Sequence, residues 1–211
     1  MKKDGISKAG PLCHPARQQP ARTLIDLSVQ RERKGKNMNK TLPKFKYIPD
    51  PVGSGIFTDK DRPVCDCCGQ ATGIYYSGGM YTRMTPPEVL CPECIHSGKA
   101  AVKYEGDFQD ILLDELLINT DYTDELRLRT PSYVSWQSPV WPSHCGDYCA
   151  FINYVGSKEI EKMGIDWDDL HHVSGYPPED LKEGMVNNGS LQGYLFQCLY
   201  CGRYCLYADC D

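Results

Sequence analysis

The sequence predicts an α+β fold with several short helices and short β-hairpins. Helical spacing of apolar residues is confined to short stretches, and alternating apolar residues occur in runs bounded by glycine and proline. Cysteines paired as Cys-x-x-Cys interrupt these runs, so the spacing of the 12 cysteines matters more than their number. With 211 residues, 41% of them apolar, the chain can bury a core of ordinary size.

The N-terminal 40 residues differ in composition from the rest. Residues 1–37 contain nine Lys and Arg against three Asp and Glu, and only residues 24–29 form a weak apolar cluster. Such a segment cannot offset the entropy of ordering, which predicts a disordered basic extension over residues 1–40. Met38 stands where the composition becomes globular and is an alternative start. We expect one domain over residues 41–211.

The charge and hydropathy of the domain argue against two classes of partner. Residues 38–211 carry 14 basic and 25 acidic residues, and this net charge of −11 repels a phosphate backbone, so nucleic acid is not an expected partner of the folded part. Nucleic-acid binding through the basic N-terminal segment and the Cys-x-x-Cys modules is the less favoured alternative. Apolar runs such as residues 111–113 are far shorter than the roughly twenty residues of a membrane helix. No secretory signal is recognisable after Met1. We therefore expect a cytoplasmic protein without a membrane partner.

The first half of the domain predicts an extended segment, a hairpin and three helices. Prolines within residues 42–57 favour an extended chain. Aromatic and β-favouring residues flank a Gly-Gly pair in residues 71–84, which predicts a hairpin. Helices are predicted over residues 95–104, 107–119 and 123–130. A capping threonine begins the last of these helices, and a proline follows it.

The second half of the domain predicts two surface helices and a closing hairpin. Trp136 and Trp141 are expected as buried anchors. Capping and terminal signals predict short helices over residues 157–164 and 177–185. Residues 193–209 predict a β-hairpin whose tip is a Cys-x-x-Cys turn.

Two Cys-x-x-Cys pairs lie within thirty residues and predict a first metal site. Zinc prefers four tetrahedral ligands, and each such turn presents two thiolates to one ion at roughly 2.3 Å. We assign Cys65 and Cys68 as one pair and Cys91 and Cys94 as the other, with Cys67 pointing away. A knuckle, a hairpin, a second knuckle and a helix that begins at the last ligand follow the order of a treble-clef or zinc-ribbon-like site. The expected fold is therefore a small zinc-stabilised domain.

A second group of cysteines predicts another zinc ion. Cys145 and Cys149 would combine with Cys198 and Cys201 to give four thiolates. His144 is an alternative to Cys145, because side chains adjacent in sequence seldom both reach one metal. Two structural zinc ions are thus expected.

The remaining reactive residues favour no enzyme class. Cys67, Cys205 and Cys210 are left for thiol chemistry. Residues 166–172 gather acids and histidines, but we expect a solvated loop or helix start with Trp167 and Leu170 facing the core. No phosphate-binding glycine loop, nucleophile elbow or His-Glu-x-x-His motif occurs in the sequence.

Six stretches of the sequence, in this order, resemble the bacterial CbrC-type family, which is named for a colicin E2 tolerance protein. They are LPKFKYIPDP (42–51), CDCCG (65–69), LCPECIHSGKAA (90–101), RTPSYVSWQ (129–137), WPSHCGDYCAFI (141–152) and GYLFQCLYCGRYCLYAD (193–209). The resemblance implies a small bacterial cytoplasmic protein, one member of whose family is linked to colicin tolerance. The family's cysteine motifs fall on the eight cysteines assigned above, and the resemblance implies no catalytic residue.

The expected function is that of a zinc-binding protein that acts through contacts with a protein partner, in a stress or colicin-tolerance response. The sequence does not indicate the partner or a small-molecule substrate. The alternative is an enzyme, either a zinc-dependent hydrolase at the site between His144 and Cys201 or a thiol oxidoreductase. We favour the first interpretation. A set of four protein ligands, most of them cysteines, leaves no position on the zinc ion for a reactive water.

Overall fold

A four-stranded β-sheet is the largest sheet in the computed structural model, which describes residues 42–110 and 119–211. The described strands are β1 (Ser143–His144), β2 (Asp147–Tyr148), β3 (Ala150–Val155), β4 (His171–His172), β5 (Leu191–Gln197) and β6 (Tyr204–Cys210). The order in the large sheet is β3-β5-β6-β4, with antiparallel pairs except for the parallel pair of β4 and β6. Strands β1 and β2 form a separate antiparallel pair.

The predicted closing hairpin is confirmed. Strands β5 and β6 pair from Leu191 opposite Cys210 to Gln197 opposite Tyr204, and the Cys-x-x-Cys turn lies at the tip. Side chains along β5 alternate between two cores: Tyr194 and Phe196 pack in one, whereas Leu195 packs in the other. The hairpin is therefore buried on both faces.

The described helices are all short. They are α1 (Pro92–His96), α2 (Lys99–Tyr104), α3 (Thr120–Arg129), α4 (Ser157–Lys162) and α5 (Pro178–Gly184), with one turn of 3-10 helix at Trp167–Asp169. Helix α3 begins three residues before the predicted start, because the Asn119 side chain accepts a hydrogen bond from the Asp121 N–H and caps it. Most of the helix predicted over residues 107–119 lies outside the described residues. The mixed α+β class predicted from the sequence is confirmed.

The hairpin predicted within residues 71–84 is wrong. Tyr75 pairs with Thr58, and Tyr76 pairs with Leu90, so this stretch bridges to segments on either side of it. The Tyr76 ring is 3% exposed and packs edge-on against Phe57, 6.2 Å away between centroids. Packing of this tyrosine against neighbours outside the stretch outweighs the local preference of the glycine pair for a hairpin.

Aromatic side chains dominate the larger of the two cores. Tyr133 stacks on Phe151 with ring centroids 5.0 Å apart, and Trp141 and Phe196 contact the same tyrosine ring. Trp141 is buried as predicted, but Trp136 is 53% exposed, which corrects the prediction that both are anchors. The Trp136 indole instead donates a hydrogen bond to the Gly189 carbonyl at the surface.

The smaller core lies on the other face of the sheet. It contains Ile160 of α4 and Leu181 of α5, packed with Leu195 and Leu206 from the two central strands. This core holds the two surface helices against the sheet, and it leaves the aromatic face of the sheet free to pack against the rest of the chain.

Candidate metal centres

The first cysteine pair lies in a tight turn built by the backbone. The N–H of Gly69 donates to the Cys65 carbonyl at 2.7 Å, and the Cys65 N–H donates to the Gln70 carbonyl at 2.9 Å. Gly69 has φ 72°, a left-handed conformation that glycine adopts without steric cost. The turn therefore reverses the chain and brings Cys65 and Cys68 to the same side.

The second pair belongs to the start of α1. Cys91 is the residue preceding the helix, Pro92 occupies the first helical position, and Cys94 lies one turn on. The Cys91 N–H donates to the Cys65 sulfur at 3.2 Å, and the Cys91 and Cys68 sulfurs are 3.9 Å apart. Tetrahedral thiolates about a zinc ion are separated by about 3.8 Å when the metal–sulfur distance is roughly 2.3 Å.

The four sulfurs of Cys65, Cys68, Cys91 and Cys94 all lie within 4.8 Å of one another, and this group, the first tetrad, could hold a metal ion. Burial opposes ionisation of Cys68, but hydrogen bonds from the Gln70 backbone and from neighbouring thiols outweigh it and lower the pKa of Cys68 to about 7. Burial raises the pKa of Cys91 to about 11. Crowded thiols of this kind are expected to give up protons together when a cation arrives.

A lysine that the sequence did not single out supports this turn from outside. Lys103 of α2 donates to the carbonyls of Asp66 and Cys67 at 2.6 and 2.9 Å. The Cys67 side chain is 6% exposed and lies outside the first tetrad, as predicted. The ammonium group thus holds the two residues that connect Cys65 and Cys68, and it fixes the backbone of the turn between these cysteines.

The second group joins the β1–β2 turn to the tip of the β5–β6 hairpin. Cys145 has φ 54° and Gly146 has φ 80°, so two consecutive left-handed residues form the turn. At the hairpin tip the Gly202 N–H donates to the Cys198 carbonyl at 3.0 Å, and the Cys198 N–H donates to the Arg203 carbonyl at 2.8 Å. These bonds repeat the pattern of the turn that holds Cys65.

The second tetrad consists of His144, Cys145, Cys198 and Cys201, whose ligand atoms lie within 4.8 Å of one another and could hold a metal ion. The His144 Nδ1 atom lies 3.2 Å from the Cys145 sulfur and 3.3 Å from the Cys201 sulfur. Burial and the nearby charges of Arg203 and His171 lower the pKa of His144, which favours the neutral imidazole that ligates metals.

This grouping differs from the predicted ligand set, which contained Cys149 and offered His144 only in place of Cys145. Cys149 is fully buried, and its sulfur lies 3.7 Å from the Cys205 sulfur. Its N–H donates to the Pro142 carbonyl, which fixes the residue at the base of the β1–β2 pair rather than at the turn. The hydrogen bond with Cys205, followed by burial, raises the pKa of Cys149 and keeps it a neutral thiol.

Of residues 166–172, His171 lies close to the second tetrad, and none of the segment belongs to it. Leu170 is buried as predicted, and Trp167 is partly buried against the smaller core. His171 belongs to β4, and its ring centroid lies 6.1 Å from that of His144. Cys210, at the far end of β6, accepts a hydrogen bond from the Tyr176 hydroxyl at 3.1 Å.

Among the residues that the structure describes, every helix is too short or too polar to cross a bilayer.

The model of the uncharacterised protein family UPF0167 matches residues 42–210. A UPF0167 protein of Pseudomonas aeruginosa is 38% identical over 173 residues, which cover 79% of this chain and 96% of the relative. UPF0167 proteins of Mycobacterium bovis and Mycobacterium tuberculosis are each 36% identical over 177 residues, covering 80% of this chain and 93% of the relative. No solved structure matches the chain. The chain belongs to the UPF0167 family.

Proposed function

We propose that the protein binds two zinc ions, one in each tetrad, and uses them to fix a surface that contacts another protein. The observation that carries this proposal is the convergence of eight cysteine and histidine ligand atoms into two groups, each within 4.8 Å. Each tetrad joins segments that are distant in sequence, residues 65–68 to 91–94 and residues 144–145 to 198–201. A metal ion in either group would therefore act as a cross-link of the fold.

Zinc is the metal that this donor chemistry favours. Thiolate and imidazole donors in sets of four are typical of structural zinc sites, and such sets leave no position for a reactive water. The first tetrad combines a Cys-x-x-Cys turn with a second pair at the start of α1. These two elements are shared with a treble clef, whereas the hairpin expected between them does not form within residues 71–84. We propose a zinc site with four cysteine ligands in the first tetrad, and one with three cysteine ligands and a histidine in the second tetrad.

The proposed contact surface lies at the tip of the β5–β6 hairpin. Leu199 and Tyr200, between the ligands Cys198 and Cys201, are 39% and 62% exposed. The Tyr200 hydroxyl lies 3.3 Å from that of Tyr122, so the exposed ring is held in place. Exposed aromatic side chains on a rigid turn are suited to protein recognition. A role in a stress or colicin-tolerance response, expected from the CbrC-type resemblance, would operate through such a contact.

Metal stoichiometry of the purified full-length protein tests this proposal. Native mass spectrometry and elemental analysis should find two zinc ions per chain. Cys68→Ser and His144→Ala should each lose one ion, whereas Cys149→Ala should keep both, because Cys149 pairs with Cys205 outside the tetrad. Absence of zinc would overturn the proposal. Loss of an ion from Cys149→Ala, with both ions kept by His144→Ala, would restore the ligand set predicted from sequence.

The surface assignment needs a separate test. A Leu199→Ser and Tyr200→Ser double variant keeps all ligands and should keep both metal ions. Affinity purification with the full-length protein as bait, compared with this variant, should show a partner that depends on the two exposed side chains. A partner captured equally well by both would place the contact elsewhere.

A further inference from the structure

The two tetrads differ in how far solvent reaches their ligands. In the first tetrad, Cys65 and Cys94 are buried, and Cys68 and Cys91 are half-buried. In the second tetrad, Cys145 and Cys201 are exposed, whereas Cys198 is buried. A small oxidant in solution can therefore reach two sulfurs of the second tetrad directly, and it meets a closed protein surface over much of the first.

The exposed sulfurs are also neighbours. Both contact the same His144 Nδ1 atom, at 3.2 and 3.3 Å, and their mutual distance is within the 4.8 Å that bounds the tetrad. They belong to two different turns, the β1–β2 turn and the hairpin tip. Joining them to the disulfide length of about 2.05 Å needs an approach of less than about 3 Å.

Solvent access distinguishes this pair of sulfurs from a second close pair, Cys149 and Cys205. The Cys149 and Cys205 thiols, although 3.7 Å apart, are fully buried and lack this access.

We propose that Cys145 and Cys201 form an oxidation site at which a hydroperoxide replaces metal coordination with a disulfide bond. This inference rests on the proposed zinc site in the second tetrad. It adds a chemical class of reactant, hydroperoxides, and a defined product, the Cys145–Cys201 disulfide.

The reaction balances with one hydroperoxide molecule. One thiolate attacks the terminal peroxide oxygen, the O–O bond breaks, and the sulfur becomes a sulfenic acid as water or an alcohol leaves. The second thiolate attacks the sulfenic sulfur, the S–S bond forms, and hydroxide leaves and is protonated to water. Two electrons pass from the two sulfurs to the peroxide, and two protons are taken from solvent. A zinc ion bound in this tetrad would keep only His144 and Cys198 as ligands, which are too few to retain it.

Peroxide titration of the zinc-loaded full-length protein tests the inference. Metal content is measured first, so that failure of the proposed zinc sites is distinguished from failure of the oxidation site. With hydrogen peroxide and a chromogenic zinc chelator, we expect release of one of the two ions and a Cys145–Cys201 disulfide in peptide mapping. A dithiol reductant with added zinc should restore the original stoichiometry.

Matched histidine variants keep a four-ligand set while removing one sulfur. Cys201→His should retain its metal, form no disulfide at Cys145 and lose zinc more slowly under peroxide. Cys91→His is the control in the first tetrad and should leave the peroxide-dependent release unchanged. Release of both ions at equal rates, or a disulfide between any other pair of cysteines, would overturn the inference.

Discussion

A partly buried ion pair next to the second tetrad provides the sharpest stability prediction. Asp147 of β2 lies opposite His144 in the β1–β2 register, and its side chain is 1% exposed. Its carboxylate receives Lys46 Nζ at 2.8 Å and hydrogen bonds from the Tyr47 hydroxyl at 2.7 Å and the Tyr148 N–H at 2.8 Å. Lys46→Met would keep the aliphatic length of the side chain and remove the charge.

The loss of unfolding free energy in Lys46→Met depends on how deeply each member of the ion pair is buried. Removing one member of a fully buried pair costs about 3–5 kcal/mol, whereas an exposed pair contributes about 0–1 kcal/mol. The Lys46 side chain is 33% exposed, which screens the pair, while the Asp147 side chain is inaccessible. The lysine also lies 3.6 Å from the centroid of the Tyr122 ring, and this cation–π contact is lost as well. We expect Lys46→Met to lower the unfolding free energy by about 2 kcal/mol, or the melting temperature by about 4–8 °C.

Thermal and urea unfolding of the metal-loaded protein measure this change. Lys158→Met is the matched control, because Lys158 is a surface residue of α4. Lys46→Met should have a much smaller effect in an Asp147→Asn background, where the buried negative charge is absent. If Lys46→Met is no more destabilising than the control, or costs the same in both backgrounds, the reasoning is refuted.

Three further predictions concern the core and its pH dependence. Tyr133→Phe should cost about 1–3 kcal/mol in urea unfolding, because the hydroxyl both donates to the Val140 carbonyl and accepts from its N–H, and an unchanged midpoint would contradict this. Gly193→Ala should lower the unfolding free energy by about 1–3 kcal/mol in the same assay, because the added Cβ would lie 2.8 Å from the Val155 carbonyl oxygen. An unchanged unfolding free energy would show that β3 and β5 move apart without cost. Burial and the Asp209 carboxylate raise the pKa of Tyr194, so this phenol stays protonated in the fold while the unfolded chain ionises near pH 10. Stability should therefore be intact below about pH 10 and fall above it. The phenolate absorbance of Tyr194, taken as the difference between the protein and Tyr194→Phe, should rise at the unfolding transition rather than before it.

The regular spacing of cysteines made the first tetrad predictable. A Cys-x-x-Cys turn has one dominant geometry, so two such turns carry most of the information about a four-ligand site. The closing hairpin was predictable for a related reason, because Cys198 and Cys201 are flanked by strand-forming residues that pair with each other. In both cases the relevant interactions are local or involve repeated motifs.

The second tetrad was harder to predict because it depends on backbone conformation. Adjacent residues seldom share a metal, but the left-handed φ of Cys145 turns its sulfur towards the same point as the His144 imidazole. The glycine at position 146 is the one sequence signal for this turn. Cys149 has the spacing of a ligand, but tertiary packing against Cys205 determines where its sulfur lies. Lys103 and Lys46 left no sequence signal, since their partners are a backbone carbonyl pair and a distant carboxylate.

The position of a ligand turn at the tip of β5–β6 has a consequence for strand alignment. Gln197 opposite Tyr204 is the last pair before the turn, so the ligands Cys198 and Cys201 are in place only when the strands pair in this register. A slip of one residue would also exchange Tyr194 and Leu195 between the aromatic and aliphatic cores. Metal coordination and side-chain packing therefore select the same alignment by independent criteria, and a one-residue insertion within either strand would violate both at once.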